Sequence, residues 1–195
     1  EGVHVKKMHT SRRDTFRPIN IKPILHIDPN GKIEKKREYK QQGDSYKCES
    51  RFSNKVGLIK IYPGFRKEEL DYYEKNCEGL IIEGYAFGQM PINKLDKSTE
   101  KHPELLKKLS DIAKKIPVII VSQRPYGLSY MNVYSTGKDM LGVGVIEGKM
   151  LSHTVYAKLC WVLGHEKNLE KVKIEMQKNI CGEILERIEK DTFLI

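Results

Sequence analysis

The stretch GLIIEG at residues 79–84 is a continuous apolar run bounded by glycines, and PVIIVSQ at residues 117–123 is a second run of the same kind. Between them lies HPELLKKLSDIAKK, residues 102–115, in which apolar side chains recur every three or four positions. Such short apolar runs are typical of strands buried on both faces, and the 3.6-residue period indicates an amphipathic helix. The order strand, helix, strand predicts a βαβ unit whose two strands are parallel.

The alternation continues on both sides of this unit. Upstream, KVGLIKIYP at residues 55–63 predicts another buried strand, and downstream GVGVI at residues 142–146 predicts a short fourth one. The expected strands lie near residues 56–62, 79–83 and 117–122, and the expected helices near residues 66–76, 101–115, 153–164 and 168–180. The pattern predicts an α/β fold class, with a Rossmann-like parallel-sheet domain over residues 54–195.

The last two helices carry start and stop signals. Ser152 and Asn168 stand where they would cap the helix starts, and Gly164 and Gly182 mark the expected ends.

Residues 1–50 differ from the rest of the chain. They are polar, and PILHIDPNGKIEKKREY predicts a hairpin that turns at Asn30 and Gly31. A single hairpin beside a basic run does not make a stable unit of its own. We therefore expect residues 1–50 to be the end of a preceding, second α/β domain plus a connector.

Charge and cysteine content narrow the classes of protein without choosing one. The formal net charge is +9, which fits a nucleic-acid partner, but the spread of the positive residues along the chain favours a generally solvated surface. The four cysteines show neither zinc-finger nor C-x-x-C spacing, which favours reduced thiols in a cytoplasmic protein. No run approaches the roughly 20 apolar residues of a membrane span.

Candidate site residues follow the predicted strands, because ligands of open parallel sheets bind at the carboxyl ends of strands. Glu83 and Gly84 end one strand, and Ser122 and Gln123 end the next. The polar stretch SQRPYGLSYMNVYSTG at residues 122–137, which contains Tyr134, is expected to be a long loop that is either functional or an ordinary surface loop. For Glu83, a salt bridge or a backbone contact competes with a chemical role.

The chain opens on a basic run, VKKMHTSRRDTFRPIN at residues 5–20, which suits a nucleic-acid arm, a solvated edge strand or a wall of an active site. KMHTSRRDTFRPIN, VGLIKIYPG, GLIIEG, MNVYSTG and YAKLCWVLGH, in this order, resemble the asparaginase-like D subunit of the archaeal glutamyl-tRNA(Gln) amidotransferase. They resemble type I L-asparaginases more distantly. The resemblance covers nearly the whole chain and implies an asparaginase-type carboxy-terminal domain.

The resemblance assigns a role to the basic run. Lys7 matches a family lysine that partners a second threonine and an aspartate in amide hydrolysis, so the run becomes an active-site wall. Lys6 is a rival, because adjacent residues of a strand point to opposite faces. Arg12, Arg13 and Asp14 are expected to form an ion-pair cluster at a domain junction.

The family's GGTI-type segment with the nucleophilic threonine, and its HGTDT-type segment, occur nowhere in these 195 residues. The resemblance therefore implies that this chain by itself is inactive, while the parent releases ammonia from glutamine or asparagine for conversion of Glu-tRNA(Gln) to Gln-tRNA(Gln). The sequence leaves the choice between the two amides open.

The resemblance also implies partners. They are a second copy of the chain, whose carboxy-terminal domain completes the neighbour's site, and an E subunit that binds ATP and Mg²⁺ and makes most contacts with tRNA. No cofactor is expected in this chain. EGYAFGQMP departs from the family's EGTGLGH-type segment, and His153 stands where an acidic residue is expected, which bears on amide binding. A type I L-asparaginase fragment and a non-catalytic dimerisation module remain alternatives.

Overall fold

A computed structural model describes residues 2–39, 43, 45 and 47–193. Two short antiparallel ribbons come first, and a four-stranded parallel sheet covered by helices follows. The strands are β1 (Val5–Lys7), β2 (Phe16–Pro18), β3 (Leu25–Ile27), β4 (Ile33–Lys35), β5 (Val56–Lys60), β6 (Gly79–Gly84), β7 (Val118–Ser122) and β8 (Ile146–Glu147). The α-helices are α1 (Asp71–Asn76), α2 (His102–Ala113), α3 (Ser135–Gly142), α4 (Ser152–His165) and α5 (Leu169–Gln177), and 3₁₀ turns occupy Gly2–His4 and Lys67–Leu70.

The sheet confirms the predicted fold class. Its strands lie in the order β5-β6-β7-β8, and each neighbouring pair is parallel. In the central pair, Leu80 stands opposite Val118 and Gly84 opposite Ser122. The carboxyl ends of β6 and β7 are thus level, which brings the segments that follow them together.

Side chains of the central strands alternate between two apolar layers. Leu80 and Ile82 of β6 face the layer formed with α2, whereas Ile81 faces the layer formed with α4 and α5. Ile119 and Ile120 of β7 divide in the same way, and both are buried. Because both faces of the sheet are covered, the strands read as continuous apolar runs rather than as alternating ones.

The predicted amino-terminal hairpin is confirmed, and its loop is longer than two residues. β3 and β4 are antiparallel, with Ile27 opposite Ile33. The Asp28 carboxylate accepts hydrogen bonds from the backbone N–H groups of Asn30 and Lys32 at 2.8 and 2.9 Å. Gly31 adopts a φ of 83°, a left-handed conformation that glycine takes without strain. The turn therefore closes over five residues.

The β1–β2 ribbon is fastened to the sheet region by polar contacts. Thr154 of α4 donates a hydrogen bond to the carbonyl of Val3 at 2.7 Å. Asn20 exchanges two hydrogen bonds with the backbone of Gly127, at 2.9 and 3.0 Å. The ribbon therefore sits against the start of α4 and the segment after β7.

The carboxy-terminal segment is fastened beside the ribbon. Nε2 of His4 lies 2.6 Å from the carbonyl oxygen of Gly182. Next to it, the buried Lys158 of α4 forms an ion pair with the buried Glu183 at 2.6 Å. Burial alone raises the pKa of Glu183, but hydrogen bonds from Lys158 and from nearby backbone N–H groups outweigh it and lower that pKa to about 2.

Two predicted elements differ from the observed ones. Residues 122–137 were expected to be one loop, but α3 begins at Ser135 within it. The expected strand over residues 142–146 is wrong except at Ile146, because Gly144, with a φ of 95°, turns the chain after α3 and pairing begins only after that turn.

The predicted caps of the last two helices had different outcomes. Asn168 caps α5 as expected, accepting a hydrogen bond from the Lys171 N–H at 3.1 Å. Ser152 is instead the first residue of α4 and caps nothing, since Leu151 holds the capping position. Gly164 lies inside α4, where an added Cβ would stand 2.3 Å from the carbonyl oxygen of Arg51. This glycine therefore allows the backbone of the connector at Arg51 to pass close to α4.

No helix in the described part of the chain is long and apolar enough to cross a membrane.

Candidate functional site at the carboxyl ends of the parallel strands

A tight turn follows β6. Tyr85 and Gln89 exchange backbone hydrogen bonds at 2.8 and 2.7 Å, so the chain folds back through the three residues between them. Gly84 is required beneath this turn, because an added Cβ would lie 2.8 Å from the carbonyl oxygen of Gln89. Ala86 takes a left-handed φ of 43°, and the Ser122 hydroxyl donates to its carbonyl at 2.6 Å. Gly84 and Ser122 thus shape the turn at the strand ends.

Gln123 joins the ends of neighbouring strands. Its Nε2 donates to the carbonyl of Glu83 at 2.8 Å and also to the carbonyl of Ile61. The Glu83 carbonyl in addition accepts from the Ile61 N–H at 3.0 Å. Glu83 therefore serves this junction through its backbone, and its half-buried carboxylate forms no ion pair with any described residue. The Gln123 side-chain nitrogen is fully used within the protein.

Tyr134 belongs to an aromatic group above the turn. Its ring stacks on Phe87 with centroids 6.1 Å apart, and Tyr130 meets Phe87 edge to face at 5.8 Å. Tyr134 is 50% exposed and immediately precedes α3. Next to it, Thr136 donates a hydrogen bond to the Gln89 side-chain oxygen. The four predicted strand-end residues and Tyr134 therefore belong to one connected surface.

Lys6 and Lys7 lie on opposite faces of β1, as adjacent residues of a strand must. Lys6 is half-buried and approaches Ser122, Gln123 and Arg124 at the strand ends. Lys7 is exposed and stands opposite Phe16 in the ribbon. The structure thus brings Lys6, and not Lys7, to the predicted strand-end residues.

Lys7 shares its face of the ribbon with the large apolar side chain of Phe16, which stands opposite it and is 65% exposed. Among the described residues, none forms an ion pair with the Lys7 amine. The amine is therefore available on an open surface.

The predicted ion-pair cluster is present, but it contains Arg17 in place of the expected Arg13. Arg12 binds Asp14 through two hydrogen bonds of 2.8 and 2.7 Å, and Arg17 adds a contact of 3.3 Å. The Arg12 guanidinium holds the pKa of Asp14 down at about 2. Arg13 forms no ion pair with any described residue, so Arg17 takes its expected place. The cluster is exposed to solvent.

His153 lies beside Lys6 at the start of α4. Partial burial, and then the positive charge of Lys6, lower its pKa, while a hydrogen bond to the Val5 backbone opposes them. The imidazole is therefore biased toward its neutral form near β1.

Sequence reasoning did not single out three residues of this region. They are Phe87, Arg124 and Ser129. Ser129 is 1% exposed, and its hydroxyl has no hydrogen-bond partner among the described residues. It lies in a polar loop where the sequence carries no periodic signal of burial. Among the described residues, no group of three or more His, Cys, Asp or Glu side chains could hold a metal ion.

Comparison with known proteins places these features in a family. Residues 55–176 match the model of the glutaminase/asparaginase C-terminal domain. The D subunit of glutamyl-tRNA(Gln) amidotransferase from Pyrococcus abyssi is 42% identical over 197 residues, covering 99% of this chain and 43% of the relative. The protein of the same name from Methanobrevibacter smithii is 40% identical over 203 residues, with coverages of 100% and 43%. The chain thus spans less than half the length of these relatives.

Solved structures agree with this relationship. The thermostable L-asparaginase from Thermococcus kodakarensis superposes with a TM-score of 0.82 at 27% identity, over 94% of this chain and 54% of that one. L-asparaginase I from Vibrio cholerae superposes with a TM-score of 0.80 at 25% identity, over the same shares.

Proposed function

The chain belongs to the family of proteins with a glutaminase/asparaginase C-terminal domain. From its similarity to D subunits of glutamyl-tRNA(Gln) amidotransferase, we propose that it is the carboxy-terminal part of an ammonia-releasing protein. The parent protein would hydrolyse the side-chain amide of glutamine, or of asparagine, and the ammonia would convert Glu-tRNA(Gln) to Gln-tRNA(Gln). The observation that carries this proposal is identity of about 40% to proteins of that name over nearly the whole chain. The match is not confined to the parallel-sheet domain and includes the ribbon with Lys7.

The placement of Lys7 supports a role in a site completed by further protein. Hydrolysis breaks the amide C–N bond, adds the oxygen of water to the carbonyl carbon and releases ammonia. A threonine hydroxyl must lose its proton to attack that carbon, and a neighbouring amine can accept the proton when burial disfavours its charged form. Lys7 stands on an exposed face with no ion-pair partner among the described residues, beside the apolar Phe16. Protein placed over this face would surround the amine with apolar groups.

The partners of the proposed enzyme follow from its family. We assign ATP and Mg²⁺ to an E subunit, which would also make most contacts with tRNA. A second copy of this chain would complete the neighbouring site through its strand-end surface, where Tyr134 and the turn after β6 are exposed or half-exposed. A cytoplasmic location and a role in protein biosynthesis belong to the same proposal.

Ammonia release tests the proposal directly. The 195-residue chain alone is expected to release no ammonia from glutamine or asparagine above the uncatalysed rate. The same chain joined to the amino-terminal part of the Pyrococcus abyssi relative is expected to release it. Turnover by the chain alone would reveal a nucleophile among its own residues and would contradict the proposal.

Two alternatives predict different results in the same experiment. A free-standing asparaginase would release ammonia from asparagine, and adding the E subunit of the same relative with Glu-tRNA(Gln) would yield no Gln-tRNA(Gln). A non-catalytic dimerisation module would leave the joined protein inactive on both amides. Its test is the dimer itself, which would form with or without the joined part.

A further inference from the structure

The loop that joins β1 to β2 begins immediately after Lys7. Lys7 is the last residue of β1 and pairs with Phe16, the first residue of β2. The ribbon contains only three residue pairs, and a two-stranded ribbon is marginally stable in water at best. The position of the Lys7 amine therefore depends on how the loop over residues 8–15 is held.

Thr15 closes the base of this loop. The Met8 N–H donates a hydrogen bond to the carbonyl of Thr15 at 2.8 Å. The buried Thr15 hydroxyl accepts a hydrogen bond from the His9 N–H and donates one to the His9 carbonyl, both at 2.6 Å. These contacts fix the backbone of His9 beside the end of β1.

The imidazole of His9 orders the turn within the loop. Its Nδ1 accepts hydrogen bonds from the backbone N–H groups of Ser11 at 3.1 Å and Arg12 at 3.3 Å, and the Ser11 hydroxyl lies 3.4 Å from the same atom. Because a backbone N–H can only donate, Nδ1 carries no proton, and the neutral imidazole has its proton on Nε2. The side chain of His9 is exposed, so it can exchange protons with solvent.

Protonation of His9 is incompatible with these hydrogen bonds. A charged imidazole carries a hydrogen on both ring nitrogens and has no acceptor left. The new Nδ1–H would face the N–H groups of Ser11 and Arg12, which are donors themselves. Histidines typically change charge between about pH 5 and 8. The turn is therefore held at the upper end of this range and loses its acceptor at the lower end.

The surrounding charges do not favour a protonated His9. Among the described residues, every hydrogen bond of His9 stays within residues 9–15. Asp14 is the one carboxylate of this loop, and it is already paired with Arg12 and Arg17. The charged groups of the ribbon and its loop near His9 are Lys7, Arg12, Arg13, Asp14 and Arg17.

We propose that His9 is a positioning residue for Lys7, whose neutral form orders the loop after β1 and whose protonation releases it. This inference rests on the role proposed above for the Lys7 amine. With the loop released, Lys7 would stand at the free end of a three-pair ribbon and would no longer be held where it accepts the proton of the threonine. His9 would thus act on the rate of the chemical step and not on the binding of the amide.

The first test follows the loop in the 195-residue chain, without catalysis. ¹⁵N NMR of the His9 ring is expected to show the proton on Nε2 at pH 8. The amide signals of Ser11 and Arg12 and the side-chain signals of Lys7 are expected to shift together as His9 gains its second proton. In His9→Asn these signals should not follow this titration, because the asparagine oxygen can accept from an N–H two residues on and does not titrate.

The second test measures ammonia release by the protein joined to the amino-terminal part of the Pyrococcus abyssi relative. At pH 8, His9→Leu is expected to lower kcat about tenfold with KM unchanged, the size of effect that one or two lost hydrogen bonds produce. His9→Asn is expected to restore kcat. Below pH 6 the unaltered protein should be slower than His9→Asn. His26→Asn, at an exposed histidine of β3, is the matched control and should follow the unaltered protein at every pH.

Three results would overturn the inference. They are a proton on Nδ1 of His9 at pH 8, loop and Lys7 signals that do not follow the protonation of His9, and a kcat of His9→Leu equal to that of the unaltered protein. A higher KM at unchanged kcat belongs to the third result, because it would assign His9 to amide binding. If the unaltered joined protein releases no ammonia while the NMR result is as expected, the proposed function fails and the control of the loop by His9 stands.

Discussion

The parallel sheet and the amino-terminal ribbons use similar apolar residues but bury them differently. Ile81 and Ile120 in the central strands are fully buried between two layers of helices, whereas Ile27 and Ile33 of the β3–β4 hairpin are 62% and 63% exposed. The sheet region is held by apolar packing, and the β1–β2 ribbon is held to it by polar contacts such as that of Thr154 with Val3. The comparison shows that the parallel-sheet region buries its apolar residues within itself. The amino-terminal ribbons leave apolar side chains exposed, where further protein can bind.

The largest change in the free energy of unfolding is expected at the buried ion pair between Lys158 and Glu183. Lys158→Met leaves the Glu183 carboxylate buried without its ion-pair partner, which typically costs about 3–5 kcal/mol in the free energy of unfolding. Urea unfolding followed by the fluorescence of Trp161, the single tryptophan, measures the loss. Lys173→Met, which removes a pair with the exposed Glu170, is the control and should cost less than about 1 kcal/mol. Equal losses would show that burial does not decide the value of these pairs.

A matched pair of isoleucines tests the comparison itself. Ile120→Ala opens a cavity in the centre of the sheet and is expected to lower the free energy of unfolding by about 2–5 kcal/mol. Ile27→Ala on the hairpin removes an exposed side chain and should change it by no more than about 0.5 kcal/mol. Urea unfolding of both variants gives the two values. A large loss in Ile27→Ala would mean that the hairpin face is already buried in the chain as it exists, for example against a second copy.

Acid should weaken the ion pair that joins Lys158 of α4 to Glu183 of the carboxy-terminal segment. The pKa of Glu183 is lowered from 4.5 to about 2, so the ionised form is bound more tightly by the folded chain than by the unfolded one. This stability is present above pH 4.5 and is lost as the pH falls toward 2, by an amount of about 3 kcal/mol. Glu183→Gln is therefore expected to differ from the unaltered chain at pH 6 and to converge with it near pH 2. A constant difference across that range would assign the loss to packing rather than to charge.

The smallest effect concerns the connector. Gly164→Ala places a methyl group against the carbonyl of Arg51 and is expected to cost about 1–3 kcal/mol, although alanine normally favours a helix. Gly142→Ala, near the end of α3, meets nothing within 4 Å and should be neutral or slightly stabilising, by up to about 1 kcal/mol. Thermal unfolding of the two variants checks the contrast. If both alanine variants unfold at a higher temperature than the unaltered chain, the Arg51 carbonyl does not lie this close to α4.

The same comparison explains what could be predicted from the sequence. Strands β5 to β7 and helices α2, α4 and α5 were predictable, because burial on both faces of the sheet imposes apolar runs and helical periods. Helix α3 was not predicted, since STGKDMLG buries only Gly137 and Met140 and so carries little periodicity. The fourth strand was misplaced, because pairing of two residues leaves no repeating pattern.

The sequence predicted which residues of the site lie close together, but not which hydrogen bonds they form. The level ends of parallel strands brought Glu83, Gly84, Ser122 and Gln123 together as topology requires. Local sequence did not reveal that the Gln123 amide is committed to backbone carbonyls, because its partners lie 40 and 62 positions away. Nor did it reveal the unpaired Ser129 hydroxyl, whose burial depends on tertiary packing. The role of Lys7 remains a prediction.

The central claim is that this chain supplies an essential amine through Lys7 to a site completed by other protein. The most direct measurement is ammonia release from glutamine by the protein joined to the amino-terminal part of the Pyrococcus abyssi relative, with Lys7→Met compared with Arg13→Met. Met preserves the apolar stem of either side chain and removes its charge. Lys7→Met is predicted to lower the rate about 10²–10⁴-fold, as expected for loss of an acid–base partner, while Arg13→Met keeps it. Full activity in Lys7→Met, or an equal loss in both variants, would contradict the account.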